Sequence, residues 1–258
     1  MRLFPVAALA VSVIMGAAST ASAATITFGG QVMQVNRTGG GSVSIDGLNR
    51  LQMMDGTGTA ARSVLTLNTF DLSGAWTTSF RMTFNCDNVV IGCTGDGIGF
   101  VFTGGPATDL GDIGGFVGYG NSSGAFVQSG AFVFRTFWSD IQLGRNGEFI
   151  DSRPLTGPFT DSFDLTLSHS GGGSFDVRVV RVSDNSELFR SGAFISLPVM
   201  SNFRVGFTAG SGGASENSFV SNWTASFLPS TVVPEPSTLV LTGTSLLGLA
   251  LAGRRARR

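Results

Sequence analysis

Catalysis needs acids, bases or nucleophiles brought to one point, and this sequence offers few. Of its 17 acidic residues only Glu148, Glu187, Glu216 and Glu235 are glutamates, each in a turn-like or tail context. Retaining glycoside hydrolysis requires two carboxylates about 5–5.5 Å apart, and no Glu-x-Asp-x-x-Glu stretch is present to hold such a pair on one strand. The single histidine, His169, precedes the turn Ser170-Gly171-Gly172-Gly173, and no serine sits in a nucleophile-elbow pattern. No residue is therefore assigned to catalysis, and the sequence reads as a non-enzyme.

The two cysteines are Cys86 and Cys93, in Asn-Cys-Asp-Asn-Val-Val-Ile-Gly-Cys between two strand-like segments. In an exported chain, two cysteines at this spacing can clip the ends of a short loop with a disulfide. The competing reading is a metal pair. The spacing is longer than zinc motifs use, and His169 lies far along the chain. No cofactor and no metal are expected.

The elements around these residues have a period of two. Trp76, Thr78, Phe80, Met82 and Phe84 fall on one face and Thr77, Ser79, Arg81, Thr83 and Asn85 on the other, the alternation of a half-buried antiparallel strand. Phe163, Leu165 and Leu167 repeat it, as do Phe203, Val205 and Phe207, and Trp223, Ala225 and Phe227. Clusters such as Gly39-Gly40-Gly41 and Gly120 to Gly124 punctuate the series. The runs Gly97 to Phe102 and Ala131 to Trp138 are apolar on both faces and should be central strands covered on each side. The fold class is all-β, a sandwich of roughly a dozen antiparallel strands.

Both ends of the chain carry addresses. Met1 and Arg2, the apolar run Leu3 to Met15 and the small-residue site Ala21-Ser22-Ala23 form a secretory signal peptide with cleavage after Ala23. At the other end stand Val233-Pro234-Glu235-Pro236-Ser237, an apolar run from Leu239 to Ala252, and Arg254-Arg255-Ala256-Arg257-Arg258. Each proline fixes its own φ and turns its predecessor away from helix, so the motif presents an extended segment. A run of about 14 residues spans about 21 Å as a helix, short of a ~30 Å hydrocarbon core, which suits a temporary stop better than a permanent span. The basic end stays cytoplasmic. This order resembles the PEP-CTERM sorting signal of exopolysaccharide-producing Gram-negative bacteria, which implies transient inner-membrane insertion and cleavage by exosortase. The chain divides accordingly into a signal peptide (1–23), one domain (24–228) and a sorting signal (229–258). Without Arg2 and the tail arginines, 11 basic residues face 17 acidic ones, a net charge of about −6. That charge disfavours polyanions, and no basic stripe for nucleic acid is visible.

Three segments of the domain resemble L-type (legume) lectins in the right order. They are Gly95-Asp96-Gly97-Ile98-Gly99-Phe100, Gly114-Gly115-Phe116-Val117-Gly118, and Val205 to Gly213 with the finish Ser221-Asn222-Trp223. The resemblance implies a concanavalin A-like jelly roll with a shallow sugar site at the loop ends. Its candidate carbohydrate-binding residues are Asp96, Gly114, Gly115, Ser211, Gly212 and Gly213. A carboxylate facing sugar hydroxyls gains charge-assisted hydrogen bonds, and glycine permits close backbone approach; the alternative is that these are turn formers. Where the family carries Glu-Phe-Asp-Thr-Phe, whose two acids hold a transition metal and calcium, this chain reads Val133-Phe134-Arg135-Thr136-Phe137, followed by the short Trp138-Ser139-Asp140-Ile141. A guanidinium cannot ligate a cation. Arg135 is expected to stand in for the metal by pairing with Asp140, or else with Asp96. The functional expectation is an exported, non-catalytic, lectin-like protein of the cell surface, outer envelope or extracellular matrix that contacts exopolysaccharide or another surface glycan. The alternative is a structural envelope or matrix protein that keeps the sandwich and has lost metal and sugar binding.

Overall fold

The computed structural model describes residues 24–56, 58–85, 95–120, 124–155, 161–195, 201–213 and 216–229. The signal peptide with Ala21 and Ala23, the Cys86–Cys93 loop, and the sorting motif Val233 to Ser237 with its apolar run lie outside the described residues. No helix among the described residues is long and apolar enough to cross a membrane.

The strands are β1 (Ala24–Phe28), β2 (Gln31–Gly39), β3 (Ser44–Ile45), β4 (Leu51–Asp55), β5 (Ala60–Thr66), β6 (Phe70–Asp71), β7 (Trp76–Asn85), β8 (Gly97–Thr103), β9 (Ser129–Arg135), β10 (Asp140–Arg145), β11 (Glu148–Pro154), β12 (Ser162–His169), β13 (Ser174–Arg181), β14 (Glu187–Phe194), β15 (Arg204–Ser211), β16 (Asn217–Ala225) and β17 (Leu228–Pro229). They form an eight-stranded sheet, β1-β2-β5-β15-β8-β9-β10-β11, a seven-stranded sheet, β14-β13-β12-β7-β16-β4-β3, and a small β17-β6 ladder. Among the described residues there are seventeen strands where roughly a dozen were expected, and three of the extra ones, β3, β6 and β17, are two-residue pairings that leave no period to read. The last described strand, β17, ends at Pro229.

Alternation and burial agree along β7, where Trp76, Thr78, Phe80, Met82 and Phe84 are the buried set. Their side chains meet those of the eight-stranded sheet in a phenylalanine-rich core. Phe80 stacks on Phe100 with ring centroids 5.7 Å apart, Phe84 on Phe134 at 5.4 Å, and Trp76 meets Phe102 edge-on at 6.1 Å, favourable geometries that add to burial. The last alternating set fails at Ala225, which is exposed although it still pairs with Thr78, after a register shift between Ser221 and Thr224 breaks the phase of β16.

Strands β5, β8 and β15 are buried on both faces, and β9 is buried up to Phe134. The cause is a second apolar cluster on the outside of the eight-stranded sheet. Val117, Tyr119 and Phe126, from the segment between β8 and β9, lie on Leu65, Val101, Ala131 and Val133. This bears out the reading of Gly97 to Phe102 as a covered central strand. The companion run Ala131 to Trp138 ends early. The chain leaves β9 after Arg135 and turns through Thr136 to Ser139 into β10, so Phe137 and Trp138 are 60% and 46% exposed.

Register places the parts along the sandwich. At one end Asn85 faces Asn217, Ser211 faces Ala60, and Arg135 faces Asp140. At the other end Trp76 faces His169, Phe70 bridges Phe203, and β17 lies on β6. The two ends are separated by the length of β8, roughly 20 Å.

Candidate functional site

The first end gathers most of the residues expected at a sugar site. Asp96 leads into β8, and Gly97 follows with φ +131°. A β-carbon on Gly97 would fall 2.0 Å from the Phe134 carbonyl oxygen, so an Asp-Gly pair is required for the carboxylate to sit beside the end of β9. Gly114 and Gly115 belong to a single 3-10 turn, Gly114–Phe116. The carboxylate is 7% exposed. β-carbons on Gly114 and Gly212 would lie 3.8 and 3.2 Å from Asp96 Oδ2, so both glycines cover it. Gly212 donates its N–H to the Asp96 carboxylate, while Oδ2 is buried without a hydrogen-bond partner. Burial pushes the Asp96 carboxyl above its ordinary value, against the Gly212 N–H and the charge of Arg135.

Of the late loop, Gly212 is clamped and Gly213 is open. The Gly212 carbonyl accepts from the Thr59 N–H at 2.8 Å and the Thr59 hydroxyl at 2.9 Å, and nothing lies within 4 Å of a β-carbon built on Gly213. Ser211 does not face this surface. It is the last residue of β15, paired across from Ala60 and fully buried, because the strand extends to the point where a loop was expected.

Arg135 pairs with Asp140, the first of the two expected partners. Its Nε donates to Oδ1 at 2.8 Å and its Nη2 to Oδ2 at 2.6 Å, a bidentate fork. Gln142 Nε2 and the Ser152 hydroxyl also donate to Oδ2, at 2.6 and 2.7 Å. Burial pushes the Asp140 carboxyl up, but the bonds from Arg135, Ser152 and Gln142 outweigh it and hold the group below its ordinary value. The ion pair closes the hairpin that carries Phe137 and Trp138. These residues do not fit a paired-metal site. Val133 is sealed in the second apolar cluster, and Asp140 is committed to Arg135. Among the described residues no group of three or more His, Cys, Asp or Glu could hold a metal ion.

Trp138 and Glu216 enter the site without having been assigned to it from sequence. The Arg135 guanidinium carbon lies 4.3 Å from the Trp138 ring centroid, a cation–π contact, and the indole reaches over the 3-10 turn. A β-carbon on Gly115 would fall 2.5 Å from Trp138 Cη2. Phe137 packs edge-on to Trp138 at 4.9 Å, and Phe116, 47% exposed, continues the apolar surface. Glu216 is wholly buried behind Asp96, its Oε1 without a partner. No alternation marks it: Ser218, Phe219, Val220 and Ser221 are all buried, and the set Trp223, Ala225 and Phe227 carried back falls on Asn217.

The comparisons with known proteins divide the chain in two. Residues 232–258 match the PEP-CTERM protein-sorting motif. The fold is similar to lectin II from Ulex europaeus, at 18% identity and TM-score 0.63 over 75% of this chain and 92% of that one. It is similar to basic winged bean lectin with Tn-antigen, at 17% identity and TM-score 0.65 over 80% and 99%. Arcelin-5, a lectin-like defense protein from Phaseolus vulgaris, matches at 15% identity and TM-score 0.62 over 76% and 92%. At such identities the likeness is one of fold. No curated protein sequence matches the chain.

Proposed function

We propose that this is an exported protein, processed by exosortase, whose lectin-like sandwich binds exopolysaccharide or another surface glycan without catalysing its cleavage. The observation that carries the reading is the pairing of an orphaned acceptor, Asp96 Oδ2, with an exposed aromatic surface, Trp138 with Phe137 and Phe116, on one loop cluster. A sugar offers hydroxyl donors on its rim and apolar C–H faces, and such a site matches both. Signal peptide 1–23, sandwich 24–228 and sorting signal 229–258 then act in succession. The tail leaves from β17, at the end opposite Asp96, and only Ser230 to Val233 separate Pro229 from Pro234, a reach of roughly 15 Å. Held by its tail, the domain lies close against the membrane with the glycan site pointing away from it. After cleavage its place is the cell surface, outer envelope or matrix.

The binding arm is tested by presenting full-length protein, purified in mild detergent, to a glycan panel and to exopolysaccharide from a producing host. Trp138→Ala and Asp96→Ala should each lower affinity at least tenfold with little change in melting temperature. The sorting arm is tested by replacing Glu235 and Pro236 with alanine, which should leave uncleaved precursor in the inner membrane; normal processing would rule out exosortase. The second reading, a structural envelope or matrix protein, is favoured by the cover that Gly114 and Gly212 place over Asp96. It prevails if the native protein binds nothing on the panel and still accumulates in the matrix.

A further inference from the structure

The Thr136 hydroxyl lies 2.6 Å from the Gly95 carbonyl oxygen and 3.1 Å from Glu216 Oε2. A hydroxyl has one proton to give, and a backbone carbonyl can only accept. The shorter contact claims that proton for Gly95. The contact with Glu216 is then a hydrogen bond only if the carboxyl carries a proton and donates it to the Thr136 oxygen.

The surroundings agree. Glu216 has no exposed surface, and a β-carbon on Gly95 would fall 2.2 Å from its Cγ, so the chain before Asp96 is packed directly on this side chain. The charged groups around it supply no cation. Asp96 faces it with a like charge, Arg135 is forked onto Asp140, and from β4 Asp55, opposite Asn217 in register, is paired with Arg62. An isolated ionised carboxylate in such a place neutralises instead. Burial first, and the Asp96 charge with it, push the Glu216 carboxyl up to about 8, opposed by Thr136.

We infer that Glu216 is a positioning residue of the glycan site: as a neutral acid it donates to Thr136, Thr136 donates to the Gly95 carbonyl, and this two-bond chain fixes the direction in which Asp96 leaves the backbone. Loss of the proton sets a second carboxylate beside Asp96 and turns the Thr136 hydroxyl toward Glu216, releasing Gly95. The functional arm rests on the reading of Asp96 as a glycan acceptor, while the proton and its bond do not.

The test compares full-length native protein with Glu216→Gln, whose amide N–H₂ can donate to Thr136 at every pH, and with Glu216→Ala, which cannot. Burial pushes the folded carboxyl up to about 8 from its ordinary 4.5, so between these values the folded state holds the extra proton. Its stabilisation is full below the lower value and is lost as pH rises through the higher one. The melting temperature of native protein should fall by several degrees relative to Glu216→Gln from about pH 5 to pH 8.5. Glycan binding should be lost over the same alkaline limb in native protein, kept in Glu216→Gln and absent in Glu216→Ala. An infrared band of a protonated carboxyl in native protein, disappearing with a midpoint near 8, reports the same proton without any variant. Parallel melting profiles for native and Gln proteins, or no such band at pH 7, would overturn the inference. Divergent profiles with no glycan bound at any pH would keep the proton and overturn the glycan site.

Discussion

Glu216 and His169 are both buried and uncharged, at opposite ends of one sandwich, and they differ in what their polar atoms meet. His169 lies between Trp76 and Phe175, with ring centroids 5.4 and 4.7 Å away. Its Nδ1 donates to the Gly74 carbonyl at 2.9 Å, and Nε2 accepts from the Gly173 N–H at 3.2 Å. The ring is fully used, and its tautomer is set by its partners. At the other end Glu216 Oε1 and Asp96 Oδ2 are buried with no partner. A buried polar group left unmatched costs about 1–3 kcal/mol; Asp109 Oδ2 and Arg204 Nε are others, and what sets this pair apart is that both are carboxyl oxygens of the loop cluster proposed above as the site. The histidine is a satisfied structural residue, and the two acids belong to the proposed site.

The contrast can be broken hardest at Arg135. If the site end is held by charge, removing the guanidinium should do far more damage than any change at His169. The Arg135 and Asp140 side chains are 14% and 9% exposed, and breaking a buried pair by deleting one partner typically costs about 3–5 kcal/mol. Asp140 would keep Gln142 and Ser152, so Arg135→Ala should lose about 3 kcal/mol in denaturant unfolding of the full-length protein. Chelator should leave the melting temperature of the native protein unchanged. A loss below about 1 kcal/mol, the range of exposed pairs, or a drop of several degrees in chelator, would mean that something other than this ion pair holds the hairpin.

The same contrast separates what could be read from the chain. Alternation identified β7 and β12, because half-buried strands write their inward face directly into the residue order; in β15 apolar and polar residues alternate although both faces are buried. The resemblance marked Arg135 as standing where an acid was expected and left its partner between Asp140 and Asp96; the structure selects Asp140. Three features escaped. Trp138 was read as the continuation of a buried strand, since an apolar run does not announce the turn that exposes it. Ser211 was carried over from the resemblance with the late glycine-rich segment, yet pairing with Ala60 carries the strand to its position. Glu216 was placed in a turn-like context, and its burial comes from packing under the chain before Asp96, which no period in β16 announces. Composition misled where register decided.

The smallest expected effect sharpens the contrast at the structural end. Burial pushes the His169 imidazole below its ordinary value of 6.5, against the bond to Gly74. Protonation would place a charge between two aromatic rings and give Nε2 a proton where it must accept from Gly173. The unfolded chain therefore takes up the proton more readily, and the contribution of His169 is fully present above the unfolded value and declines as pH falls through and below it. The slope for one proton is at most about 1.4 kcal/mol per pH unit. His169→Gln, whose amide can donate to one carbonyl and accept from one N–H, removes the titration but not the bonding pattern. The native protein should lose stability relative to this variant between about pH 7 and pH 5, the opposite direction from Glu216→Gln, while glycan affinity stays the same in both. Groups common to both proteins, Asp96 among them, cancel in the difference. A His169→Gln protein that binds glycan more weakly, or one whose pH profile runs parallel to the native one, would end the division of the sandwich into a structural end and a binding end.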